Sequence, residues 1–143
     1  METITDSSKV LYTGKTHTTG GRNHGIVKSS DGHLDLKLSE PNTGGAGTNP
    51  EQLFAAAWSA CYEGAMATVA RRLHVDLPEN TALDAEIDLC LEKGEYSLRA
   101  RLNVYLPGIA REVAGQIVDA AHHICPYSKA IQGNIKVETN LVQ

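Results

Sequence analysis

The segment from about Asn49 to His74 places the tightest constraint on what this chain can fold into. It opens Thr48-Asn-Pro-Glu-Gln-Leu-Phe-Ala-Ala-Ala-Trp-Ser-Ala-Cys61 and continues Tyr-Glu-Gly-Ala-Met-Ala. Thr48-Asn-Pro-Glu51 matches a capping box, and Asn49-Pro50 matches an N-cap followed by proline at the first helical position. Arg71, Arg72 and His74 suit the negative end of the helix dipole. The body is apolar nearly all round, so the helix is expected to be buried on most faces. Two small sheets and one other helix, within 143 residues, offer too little cover for it. A second copy of the chain would supply the rest, and an obligate homodimer is expected.

The remaining segments read as short strands and one more helix. Residues 9–17 read as a first strand, leading into the turn Gly20-Gly-Arg-Asn-His-Gly25. Ile26–Ser30 and Leu34–Leu38 flank Asp31-Gly32, a hairpin signal. In the next hairpin Leu83, Ala85, Ile87, Leu89 and Leu91 alternate with Asp84, Glu86, Asp88, Cys90 and Glu92. Past Lys93-Gly94-Glu95, Tyr96 to Val104 alternate apolar residues with Ser97, Arg99, Arg101 and Asn103. One outer face is acidic and its partner basic, which favours the pairing. Pro107-Gly108 ends that strand, Ile109–Ile124 reads as a helix, and Pro126 stops it near Cys125. Ile135, Val137, Thr139 and Leu141 make a last strand. The order is three strands, a helix, a hairpin, a helix and a strand: an α+β fold in one domain over residues 1–143.

Composition excludes several function classes. A net charge of -4 with mixed signs offers no electrostatic footprint for nucleic acid or an anionic membrane. Glu2 and Asp6 argue against the basic start of a signal peptide, and no apolar run approaches a membrane span. The cytoplasm is the expected compartment. Cysteines at 61, 90 and 125 do not suggest a secreted disulfide framework, and no Cys-x-x-Cys occurs. In a reducing compartment any disulfide among them would be transient and catalytic rather than structural.

The chemistry therefore turns on thiols. Cys61 lies about a dozen residues into its helix, beyond reach of the N-terminal dipole. Burial beside Ala57, Trp58 and Ala65 pushes a thiol above its free value of roughly 8.5, and only a nearby cation reverses this. Arg22 is the candidate. Glu51 has a plain role in the capping box and a functional one as the anchor that orients Arg22. Ten helical residues place Glu51 and Cys61 about 15 Å apart along the axis. If both serve one site, a bend or a second subunit must join them, and an antiparallel pairing of two such helices predicts a composite site. Cys125, at a helix C-terminus where the dipole disfavours a thiolate, is the better candidate for resolving an oxidised Cys61. Cys90 shares parity with the acidic face of its strand and reads as incidental. His122 and His123 point about 100° apart on a helix and read as packed or solvated rather than as metal ligands. Gly44-Gly-Ala-Gly47 is a weak phosphate-loop signal without the Gly-Lys ending.

The Thr48–Cys61 segment, with Gly20-Gly-Arg22 and Ala121-His-His-Ile-Cys125-Pro-Tyr-Ser, closely resembles the organic hydroperoxide resistance proteins, the Ohr branch of the OsmC/Ohr family. The resemblance extends to Val10-Leu-Tyr-Thr and Gly133-Asn-Ile and covers nearly the whole chain. Arg22-Asn-His24-Gly departs from the commoner Arg-Asn-Gly, and Ala57-Trp58 stands where Gly-Tyr is more usual. The resemblance implies small antiparallel sheets wrapped around two central helices in an intertwined homodimer. It implies a thiol peroxidase reducing organic hydroperoxides to alcohols, without metal or cofactor. Cys61 would be the peroxidatic cysteine and Cys125 the resolving one, joined in a transient disulfide, with Arg22 and Glu51 the activating pair. The implied reductant is a dihydrolipoyl dithiol on a lipoylated protein. An OsmC-branch peroxidase with broader substrates is the nearest alternative. A non-catalytic redox sensor or small-molecule binder is the next, and a metal-binding module the last.

Overall fold

A computed structural model describes residues 3–4 and 7–142; Glu2 and Asp6 lie outside the described residues. No described helix is long and apolar enough to cross a membrane. The chain divides into two compact units, residues 1–49 and 50–143.

The first unit is a three-stranded antiparallel sheet of β1 (Thr16–Thr19), β2 (Ile26–Ser29) and β3 (Asp35–Lys37). The strand expected over 9–17 begins only at Thr16, with Val10, Leu11 and Tyr12 outside it and exposed. Its length is set by β2, whose Ser29 is the partner of Thr16. Beyond that rung β2 turns into the Asp31-Gly32 loop, where Ser29 Oγ donates to Asp31 at 2.6 Å and holds that carboxyl below its usual range. Between β1 and β2 the chain makes a one-turn helix α1 (Gly21–His24), which the sequence reading missed. Gly20 and Gly21 have φ of 78° and 70°, and a Cβ on Gly25 would collide with the carbonyl oxygens of Gly21 and Thr19. Three glycines thus shape the turn that presents Arg22. The later glycine run serves packing: Gly47 N–H donates to Ser39 Oγ at 2.8 Å, and a Cβ there would crowd the same oxygen.

The second unit holds α2 (Pro50–Arg72), β4 (Ala82–Glu92), β5 (Glu95–Tyr105), α3 (Arg111–Ile124), α4 (Pro126–Ile131) and β6 (Lys136–Val142). β4 and β5 pair antiparallel through a tight turn at Lys93-Gly94, both with positive φ. The register sets Asp88 against Arg99 and Glu86 against Arg101, as the charge pattern predicts. Arg101 also reaches diagonally to Asp88 at 2.8 and 2.9 Å, and that bidentate contact holds the Asp88 carboxyl below the usual carboxylate range. β6 joins β5 in parallel, so this sheet is mixed where antiparallel pairing was expected. The crossover through α3 and α4 returns the chain to the same end of the sheet, which permits parallel pairing.

The core is built from Trp58, Tyr62, Met66, Leu102, Val104 and Ile117, all fully buried. On α2 only one stripe is covered: Trp58, Tyr62, Ala65, Met66, Val69 and Ala70. Ala56, Ala60 and Gly64 are exposed, so the expectation of burial on most faces is not met within a single chain. Small side chains leave little apolar area to hide there, which lets one copy tolerate the exposure. The inner face of the hairpin also outruns the helices. Leu89 and Leu91, expected to point inward, stand exposed near its tip with Tyr96.

Candidate active site

Cys61 and Cys125 meet. Their Sγ atoms lie 3.4 Å apart, and both thiols are free. Cys61 is half-buried on α2, whereas Cys125 is fully enclosed. Burial pushes the Cys61 thiol up, the adjacent Cys125 adds to this, and the backbone N–H of Tyr127 pulls the other way.

Cys125 sits at a junction. It caps the C-terminus of α3, its N–H bonding Ala121 O at 2.8 Å. It also caps the N-terminus of α4, its Sγ accepting from Ser128 N–H at 3.5 Å. The sequence reading saw only the first of these ends. The signal for the second was present, because Cys125-Pro126 is a cap followed by proline at the first helical position, as in Asn49-Pro50.

A partly buried hydrogen-bond chain runs beside Cys125, and the sequence reading missed it. Trp58 Nε1–H donates to Ser128 Oγ at 3.0 Å. Ser128 Oγ lies 3.1 Å from His122 Nδ1, and His122 Nε2 lies 2.9 Å from Thr139 Oγ1. Burial lowers the pKa of His122, partly opposed by Asp119, so the neutral ring is favoured. Tyr62 lies against the same imidazole, ring centroids 4.7 Å apart, and its hydroxyl donates to Val118 O at 2.6 Å. Trp58, His122, Ser128 and Thr139 also form one wall of a cleft of about 340 Å³ that continues over Ile131, Ile135 and Val137. The spacing of one histidine before a Cys-Pro-Tyr-Ser turn could have suggested such a link, but not its partners on α2 and β6.

The other expected residues are each carried by an element of their own. Arg22 is carried by α1 in the first unit. Glu51 stands in the first turn of α2, which runs unbroken to Cys61, about 15 Å further along the axis. Cys90 is half-buried on β4, its Sγ 4.0 Å from Asp88 O. Both ring nitrogens of His122 are engaged by hydroxyls, and among the described residues no three of His, Cys, Asp and Glu gather as a metal site.

The fold and this pair of touching thiols define an α+β protein with a dithiol centre. The family model of OsmC-like proteins matches residues 43–140. The organic hydroperoxide resistance protein of Xanthomonas axonopodis pv. citri is 43% identical over 137 residues, covering 93% of this chain and 96% of that one. OhrB of Bacillus subtilis is 38% identical over 136 residues, covering 92% and 98%. The crystal structure of B. subtilis OhrB superposes with a TM-score of 0.87 over 93% of this chain and all of that one. That of an organic hydroperoxide resistance protein from Elizabethkingia anophelis, 36% identical, gives 0.84 over 95% and 99%. The chain belongs to the OsmC/Ohr family, on the organic hydroperoxide resistance branch.

Proposed function

We propose that this protein is a cysteine-based peroxidase that reduces alkyl or lipid hydroperoxides to alcohols. The observation that carries the reading is the 3.4 Å contact between an accessible thiol and a buried one, in a chain of this family. The Cys61 thiolate attacks the distal oxygen of the hydroperoxide. An S–O bond forms as the O–O bond breaks, leaving a sulfenic acid and an alkoxide that takes up a proton. Cys125 then displaces water from that sulfenic acid, forming the Cys61–Cys125 disulfide and sparing Cys61 irreversible oxidation. A dithiol of the dihydrolipoyl type, on a lipoylated protein, restores both thiols by exchange and becomes a disulfide itself. The cycle calls for no metal or cofactor.

Burial raises the Cys61 thiol, so a thiolate at neutral pH calls for a cation. We assign that part to Arg22, which also stabilises the charge developing on the departing alkoxide, with Glu51 orienting its guanidinium. Because Glu51 lies about 15 Å along α2 from Cys61, the Glu51 serving a given site is assigned to a second subunit. The exposed Ala56, Ala60 and Gly64, which let two helices approach closely, support a homodimer. Among its described residues the first unit buries only Val27 and Leu38 as apolar side chains, too small a core to stand alone, which supports one domain over 1–143. Three cysteines with no secreted disulfide framework among them fit a cytoplasmic setting.

The test is peptide mapping of reduced protein treated with one equivalent of cumene hydroperoxide, then with dihydrolipoamide and further peroxide. A Cys61–Cys125 disulfide that forms rapidly and is reversed through many cycles is expected. Oxidation without turnover would make the protein a redox sensor. Unreacted cysteines would leave only the fold.

A further inference from the structure

Ser128 is the one polar side chain buried in the core among the described residues, at 6% exposure. A buried hydroxyl is costly unless its bonds are made, and here every one is spoken for. Its oxygen accepts from the Trp58 indole. With His122 neutral and its proton on Nε2, the Ser128 proton goes to Nδ1 and Nε2–H donates onward to Thr139. In that tautomer the donors run Trp58, Ser128, His122, and the chain ends on the Thr139 hydroxyl. The Ser128 backbone N–H is meanwhile the donor to Cys125 Sγ. The chain of bonds therefore links the helix of Cys61 to the residue that caps against Cys125. Trp58 lies three positions before Cys61 on α2, on the same side of the helix. On its other flank, Tyr62 is bonded to Val118 of α3. Cys61 is bracketed by two tethers, one ending on α4 and one on α3, the two helices that Cys125 caps.

We infer that Ser128, clamped between Trp58 and His122, is a positioning residue that holds Cys125 against Cys61 and so governs how fast a Cys61 sulfenic acid is resolved. The inference rests on the peroxidase reading above. The sulfurs must close from 3.4 Å to a bond of about 2.0 Å, and a clamp that keeps them in contact leaves little else to reorganise. Attack of Cys61 on peroxide does not pass through Ser128 and is left untouched by it.

Ser128→Ala removes the hydroxyl and keeps the N–H; Trp58→Phe removes the indole donor and keeps Ser128. Rapid mixing with cumene hydroperoxide, quenched with a sulfenic-acid trap and read by mass spectrometry, separates the first oxidation from disulfide formation. Ser128→Ala is expected to form the sulfenic acid at the wild-type rate, within about twofold, and in Trp58→Phe disulfide formation is read relative to that variant's own sulfenic-acid formation. Disulfide formation should slow by roughly ten- to a hundred-fold, the scale of a misplacement of about an ångström. Cys61 sulfinic acid should then appear at lower peroxide excess, and Ser128→Thr, which keeps the hydroxyl, should recover most of the rate. Trp58→Phe carries the test if Ser128→Ala does not fold. Wild-type resolution speed in a folded variant overturns the clamp, and so does equal slowing of both steps. A wild-type protein that forms no Cys61–Cys125 disulfide overturns the peroxidase reading instead.

Discussion

Cys61 and Cys125, 64 positions apart in the chain, stand 3.4 Å apart in the fold, one half-exposed and the other sealed in the core. This asymmetry supports the proposed order of use, in which peroxide meets the more exposed Cys61 and Cys125 follows.

Replacing the sealed member should uncouple the first step from turnover. Cys125→Ser is expected to consume about one equivalent of peroxide, then stop with Cys61 as sulfenic or sulfinic acid. Cys61→Ser should consume none. Peroxide loss followed together with intact mass would decide it, and sustained turnover by Cys125→Ser would exclude the disulfide cycle.

Arg22→Gln should raise the pKa of Cys61 and slow peroxide consumption at neutral pH by about tenfold or more, from the loss of an ion pair worth roughly 1–3 pKa units. The pH dependence of Cys61 alkylation reports this directly. An alkylation midpoint that does not move on Arg22→Gln would remove the arginine from the mechanism.

Stability should fall on the acid side through His122. Burial sets its folded pKa below the ordinary value near 6.5, so the unfolded state takes up the proton first. Its contribution is complete above about pH 6.5 and is lost as pH falls through the folded pKa, at no more than about 1.4 kcal/mol per pH unit. Urea unfolding of wild type and His122→Gln between pH 5 and 8 should show the shallower acid loss in the variant. Parallel curves would mean that His122 takes no part.

The exposed small face of α2 predicts its own failure. Ala60→Glu places a charge where two helices are proposed to pack, so it should shift the protein to monomer and cost most of the peroxidase activity. Light scattering and activity on the same sample would test this. A fully active monomer would mean that each chain holds a complete site.

Much of the fold was legible because its signals are local. Capping residues and proline marked the start of α2, charge alternation set the register of β4 and β5, and Pro126 closed α3. The errors have physical causes too. The first strand was read too long because β1 ends where β2 stops offering partners. Leu89 and Leu91 obey the inward alternation, but no helix extends far enough to cover them.

For the site, residue type and setting offered Cys61, Cys125, Arg22 and Glu51 as candidates, and the resemblance to the organic hydroperoxide resistance proteins implied their joint role in thiol chemistry. Only tertiary structure decided that α3 and α4 meet at Cys125, that its sulfur lies against Cys61, and that Ser128 joins Trp58 to His122. Those contacts link α2, α3, α4 and β6, elements remote in the chain. Their geometry follows from how the helices pack on the sheet, which no periodicity within one element encodes.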